Sequence, residues 1–250
     1  MNHIKKRDLL KILFRSFYIQ GSWNFERMMG LGLCFCLIPV ARRICQTEEE
    51  MVIFLKRHLD FFNAQPYMAS FALGAITKLE EQAIHQKWKD KQPISVFKER
   101  ICGPLGALGD AFFWRFLKPL TASIGVIMSL LIGWIGILIF LVLFNMPHFY
   151  IRIMGIYIGY KKGFDIIRDL SISKTQKYFK IFYATLNGII GILIVTVGYW
   201  ISSQDYGAGR FLIFLFLTII SFGLTIRKKL SIEMIIIIIL SISITIGLMI

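Results

Sequence analysis

Acidic residues are scarce in this chain: 15 Asp and Glu stand against 29 Lys and Arg, for a net charge of +14. From Ala111 onward only four acids remain, Asp165, Asp169, Asp205 and Glu233. A basic excess of this size is also a mark of nucleic-acid binding. Here it is better read as the Lys and Arg that gather in cytoplasmic loops of membrane proteins, and no nucleic-acid partner is expected. Cysteine is sparse too. Cys34, Cys36, Cys45 and Cys102 make no Cys-x-x-Cys pair, and no His follows at ligand spacing. That excludes a zinc module and leaves buried or lipid-facing thiols. Charge of either sign is missing from residues 119–151, a run of 33 residues. As one helix it would extend about 50 Å at about 1.5 Å per residue, against a bilayer core of about 30 Å.

What is present fits that exclusion of water. Residues of the AVILMFWYC set make up 56% of the chain, and 22 are Phe. The fold class expected is an all-α polytopic membrane protein with about four transmembrane helices. The first lies within 121–147, with Pro147 at its inner end. The others are 181–204, 211–226 and 234–250. The connection 152–180 carries Arg152, Lys161, Lys162, Arg168, Lys174, Lys177 and Lys180, and 227–233 carries Arg227, Lys228 and Lys229. Both are expected as basic cytoplasmic loops, which places the C-terminus outside.

The front is different in character. Residues 42–100 hold ten basic and eight acidic side chains. The sequence therefore divides into 1–118 and a transmembrane region, 119–250. The N-terminus reads as a basic amphipathic helix rather than a cleaved signal. Leu9, Leu10, Leu13, Phe14 and Phe17 share one side, with Lys5, Lys6, Lys11 and Arg15 on the other, a design suited to the cytoplasmic membrane surface. Three Gly-rich apolar segments follow, 28–41, 64–77 and 101–117. Their lengths suit re-entrant hairpins or broken helices better than full spans, with core segments of a soluble domain as the alternative.

Three stretches could carry chemistry. Gly103–Asp110, GPLGALGD, resembles a phosphate loop only superficially, since it lacks the closing Lys-Ser/Thr and follows no strand pattern. It reads as a Pro-stiffened turn that brings Asp110 to the lipid boundary, where it either pairs with Arg115 or Lys118 or contacts substrate. QGSWNFERMMGLG sets Gln20, Asn24, Glu26 and Arg27 beside Trp23 and Phe25. Such groups suit hydroxyl recognition, or else a helix end with Glu26 and Arg27 paired. KRHLDFFNAQPY offers His58, Asp60 and Asn63. His58 is a conceivable phosphoryl acceptor, but no nucleophile–base pairing surrounds it.

Taken in order, QGSWNFERMMGLGLCFCLIPVARR, RHLDFFNAQPYMAS, LEEQ, GPLGALGD with AFFW, LFNMPH and GYKKG stand through residues 20–163. Together they resemble enzyme IID of the mannose-family phosphotransferase system, a bacterial sugar permease subunit of the cytoplasmic membrane. The resemblance implies an integral partner, enzyme IIC, and a trimer of IIC–IID heterodimers moving by an elevator motion. It implies a hexose substrate phosphorylated during uptake by soluble enzymes IIA and IIB, through phosphohistidines on those proteins. It implies no cofactor, and no phosphoryl group or catalysis on IID itself. Within the matching blocks, Asn24, Glu26, Asn63, Glu80, Asp110 and Asn145 are the polar groups expected to face the transport path or the IIC contact, being costly in lipid if unpaired. The alternative is a non-transporting scaffold that assembles IIC and docks IIB.

Overall fold

A computed structural model describes residues 3–170 and 172–203, and these are helical, with only isolated bridges among the described residues. The chain divides into two units, 1–190 and 191–250.

Helix α1 (Lys6–Ser16) buries Asp8, Ile12 and Ser16, a line at i, i+4 and i+8. Asp8 accepts from the Lys5 amide at 3.0 Å and from the Arg43 Nε and Nη2 at 2.9 and 3.1 Å. The apolar face expected of this helix divides instead. Leu9 and Leu13 are half-buried, while Leu10, Phe14 and Phe17 stay exposed. The paired Asp8 supplies the inward contact and leaves the large apolar side chains outward.

Helices α2 (Gly30–Ile44) and α4 (Ala69–His85) form the core, with α3 (Glu48–His58) beside them. Thr47 caps α3 by accepting the Glu50 amide at 3.2 Å. Glu48, Glu49 and Glu50 occupy its first turn and Lys56, Arg57 and His58 its last, each matching the helix dipole. Cys34 and Cys36 are buried in α2 as free thiols.

Helix α5 (Gln92–Gly109) runs into a π-helical segment, Asp110–Leu117, and on into α6 (Lys118–Ile132) without a break, 41 residues in all. The expected division at residue 118 coincides with the passage from the π-helical segment into α6, within this continuous helix. The short segments 28–41, 64–77 and 101–117 contain no hairpin turn. Most of 28–41 lies on α2 and 69–77 on α4, while 101–117 belongs to the long helix.

The turn in apolar sequence is at Gly133, with φ +69°, a conformation that glycine adopts without steric cost. Beyond it α7 (Ile135–Lys162) returns antiparallel to α6, with Gly125 against Phe140 and Gly136 against Ser129. The charge-free run is thus a helical hairpin, not one helix of 33 residues. Pro147 lies inside α7 and does not end it. The basic loop expected over 152–180 is also mostly helix. Its first eleven residues complete α7, a short turn follows from Gly163 (φ +55°) through α8 (Ile166–Asp169), and α9 (Ile172–Ser203) carries the rest. Arg152 stays in α7 and turns its guanidinium inward, against α1 and the chain around it. It donates to the carbonyl and, at 3.0 Å, to the hydroxyl of Ser16, and it lies over the rings of Phe17 and Tyr67.

Helices α4 and α7 run parallel in close contact. A Cβ on Gly74 would fall on the Ile156 carbonyl, and one on Gly159 on the Phe71 carbonyl. With Gly155 facing Ser70, this is the small-residue spacing by which helices approach closely without help from water. The residues 181–203 of the second expected span are helical, within α9. The spans 211–226 and 234–250, the loops at 205–210 and 227–233, and the C-terminal orientation fall outside the described residues.

Candidate functional site: a polar cleft beside the π-helical segment

The chain between α1 and α2 is pinned to the chain after α3 by backbone bonds. Met29 N–H donates to the Phe62 carbonyl at 2.9 Å, and Phe62 N–H to the Arg27 carbonyl at 3.3 Å. This clip joins two of the sequence blocks and sets Gln20 and Asn63 on one wall. The opposite wall is the end of α5 and the start of the π-helical segment. The cleft between them has a volume of about 540 Å³ and is lined by Gln20, Asn63, Gln65, Asp110 and Trp114 among others.

Each side chain brings a distinct property. Gln65 reads the start of α4, its Oε1 accepting the amides of Tyr67 and Met68 at 2.9 and 3.0 Å. Its Nε2 is buried with no partner among the described residues. Asp110 opens the π-helical segment with an exposed carboxylate. Neither of the partners considered for it, Arg115 and Lys118, forms an ion pair with it; Lys118 lies instead over the Trp114 ring at 5.7 Å. Gly103 and Gly106 also line the cleft, and a Cβ on either would meet nothing within 4 Å. The result is an open site with amide donors and acceptors, one free carboxylate and an indole face. That is the chemistry by which polyhydroxylated ligands are held. A π-helical turn at such a place is a common companion of function.

Of the six residues expected from sequence, the cleft unites Asn63 and Asp110. Asn24 and Glu26 lie on the exposed turn before α2. There Asn24 Oδ1 accepts the Arg27 amide at 2.8 Å, and Glu26 pairs with Arg27 at 3.2 Å. Asn145 donates to the Leu141 carbonyl of its own helix at 2.6 Å. Glu80 lies apart from the cleft. It is fully buried, and both its oxygens are engaged, by Arg57 Nε and Nη2 at 2.9 and 3.2 Å and by His58 Nε2 at 2.9 Å. It belongs to a buried ion-pair network within the core. Burial alone would raise the Glu80 carboxyl, but the bonds from His58 and Arg57 outweigh it and hold it below its ordinary range. Burial pushes His58 down, so the ring stays neutral and donates through Nε2. A phosphoryl donor has no access to this histidine.

Sequence reasoning did not place Gln65 or Trp114 in the site. Gln65 shows no signal in one dimension, since its role depends on capping α4. Trp114 sits four residues beyond Asp110, one turn along the same helix face, a spacing that could have drawn attention to it.

Among the described residues, two helices are long and apolar enough to cross a bilayer, Gln92–Ile132 and Ile135–Asp169. The most apolar window of the second is only 11% buried by its own chain. With its outward Leu, Ile and aromatic side chains, this is an integral membrane protein with a polar cleft beside one of its long helices. The chain belongs to the mannose/fructose/sorbose family of phosphotransferase-system IID components, whose family model matches residues 3–205.

It is 37% identical over 175 residues to the mannose-specific EIID component of Escherichia coli (strain K12), covering 70% of this chain and 62% of that protein. It is 34% identical over 193 residues to the sorbose-specific EIID component of Lacticaseibacillus casei, covering 76% and 68%. The chain therefore spans a little under two thirds of the E. coli relative. Among solved structures, a membrane protein aligns over 96% of both chains at 31% identity, with a TM-score of 0.77. A chain in the cryo-EM complex of the mannose transporter ManYZ with Microcin E492 aligns over 98% of this chain and 97% of that one, at 30% identity and a TM-score of 0.63.

Proposed function

We propose that this chain is the IID subunit of a hexose permease. It works with an enzyme IIC subunit in a trimer of heterodimers at the bacterial cytoplasmic membrane, and soluble IIB, charged by IIA, phosphorylates the sugar during uptake. The observation that carries this reading is the cleft that brings Asn63 and the unpaired Asp110 together with Gln20 and Trp114. These groups offer the mixed donors and acceptors a sugar requires, on a membrane-length helix whose outward face is uncovered. Asn24 and Glu26, on their exposed turn, are assigned to the IIC contact, and Asn145 to the same surface of α7. The subunit carries no phosphoryl group and no catalytic residue of its own, in keeping with the burial of His58.

The experiment is a comparison of three purified preparations: this chain with its IIC partner, IIC alone, and this chain alone. The reading expects stable co-purification and hexose binding only by the pair. Full-strength sugar binding by IIC alone would instead assign this chain the role of a scaffold that assembles IIC and docks IIB. Failure of the two subunits to co-purify would contradict the permease assignment itself.

A further inference from the structure

A second site lies away from the cleft, in the groove between α1 and α2. It has a volume of about 490 Å³ and is lined by Lys11, Phe14, Arg15, Ile38, Pro39 and Arg42, with the Asp8–Arg43 pair at its base. The groove holds four cations and one carboxylate, and that carboxylate is fully occupied by Arg43 and the Lys5 amide. Lys11 and Arg42 are exposed and form no ion pair among the described residues. Arg15 is fixed in place by one bond, Nη1 to the Phe35 carbonyl at 2.9 Å, and by lying over the Phe35 ring at 4.4 Å. The rest of its guanidinium is left to an outside acceptor. Beside these cations the groove has an apolar lining, Phe14, Ile38 and Pro39. Phe14 belongs to the outward row of α1 with Leu10 and Phe17.

We propose that this groove binds the headgroup of an anionic phospholipid, its phosphate between Lys11, Arg15 and Arg42 and the start of its acyl chain over Phe14 and Ile38. A free phosphate or sugar phosphate would use the cations but has no use for the apolar lining. An amphipathic helix lying in the interface puts its cations at headgroup level and its Leu and Phe side chains among the upper acyl carbons, which is the register that α1 presents. Basic pockets between helices on the cytoplasmic side of membrane proteins have this chemistry. The bound lipid would tie α1 to α2 at the membrane surface, beside the buried Asp8–Arg43 link. The proposal rests on membership in a membrane family and is independent of the sugar assignment.

The test is native mass spectrometry of the full chain, purified with its membrane partner in neutral detergent. The probes are phosphatidylglycerol and phosphatidylcholine of matched acyl chains. Phosphatidylglycerol should be retained in preference. The double variant Lys11→Ala/Arg42→Ala should lower its retention by about 30-fold, at about five-fold per cation near an anionic headgroup. The charge-preserving Lys11→Arg/Arg42→Lys variant should keep most of it. Both residues are exposed, so thermal melting of the variants should match that of the parent. Equal retention of the two lipids, or unchanged retention in the alanine variant, would overturn the site. Displacement of phosphatidylglycerol by millimolar inorganic phosphate would show an anion site that does not read lipid.

Discussion

At the scale of single residues, the buried charges divide into those that hold the fold and those left free to act. Glu80, Arg57 and His58 are closed on one another, and Lys98 Nζ donates to the Arg57 carbonyl at 2.7 Å beside them. Replacing Glu80 by Ala leaves a buried guanidinium without its partner, which should cost about 3–5 kcal/mol. The loss would be read as a lower melting temperature of the purified chain. Acid should act in the same direction. His58 has a folded pKa below its ordinary 6.5, and Glu80 and Asp8 lie below 4.5 and 3.8. Each binds protons more readily when unfolded, so its contribution is present above the ordinary value and is lost as pH falls below it. Thermal stability measured from pH 7.5 downward should therefore begin to decline near pH 6.5 and fall further below about 4.5. A melting temperature that stays flat to pH 4 would contradict the buried network. Asp110 stood out in the sequence because a carboxylate next to an apolar run is anomalous in lipid, and it lines the cleft. The role of Glu80 was not, because its partners lie 22 and 23 residues away and the LEEQ block looks the same whether it faces a path or a core.

At the scale of elements, α1 and the hairpin of α6 and α7 show how far patterning reaches. The N-terminal helix was evident from its periodicity, but the side that faces the protein was not. That side is chosen by Asp8 meeting Arg43 across 35 residues. The charge-free run announced a membrane segment. Its fold into two helices depends on one glycine, Gly133, whose positive φ has no signature in hydropathy. Arg152 looked like the start of a loop because it ends that run. Its carbonyl, hydroxyl and aromatic partners in residues 16, 17 and 67 let the helix continue past it. The contact of α4 with α7 depends on glycine in the same way. Gly159→Leu should force these helices apart, at a cost of about 1–3 kcal/mol or more. Gly103→Ala, with open space around it, should be close to neutral apart from helix propensity. Comparable melting temperatures for the two variants would contradict the close approach.

At the scale of the whole molecule, the chain leaves much of its apolar surface to its surroundings. Leu131, Trp134, Met146, Tyr150 and Tyr157 on the hairpin and its continuation are exposed, so lipid or a partner subunit must cover them. Membership in the IID family was legible from six ordered blocks, and the structure gives those blocks a spatial reason. The blocks around residues 20–32 and 57–70 are clipped together by backbone bonds, and the GPLGALGD block closes the cleft that they open. Which sugar fits depends on distances inside the assembled permease, which no motif encodes. The proposed function puts this cleft on the transport path. It is tested most directly by phosphorylation-coupled hexose uptake in cells carrying Asp110→Asn, at matched expression and with co-purification of IIC confirmed. The account predicts assembly as in the parent and uptake reduced by about tenfold or more, the loss of a charge-assisted hydrogen bond. Uptake equal to that of the parent would contradict it.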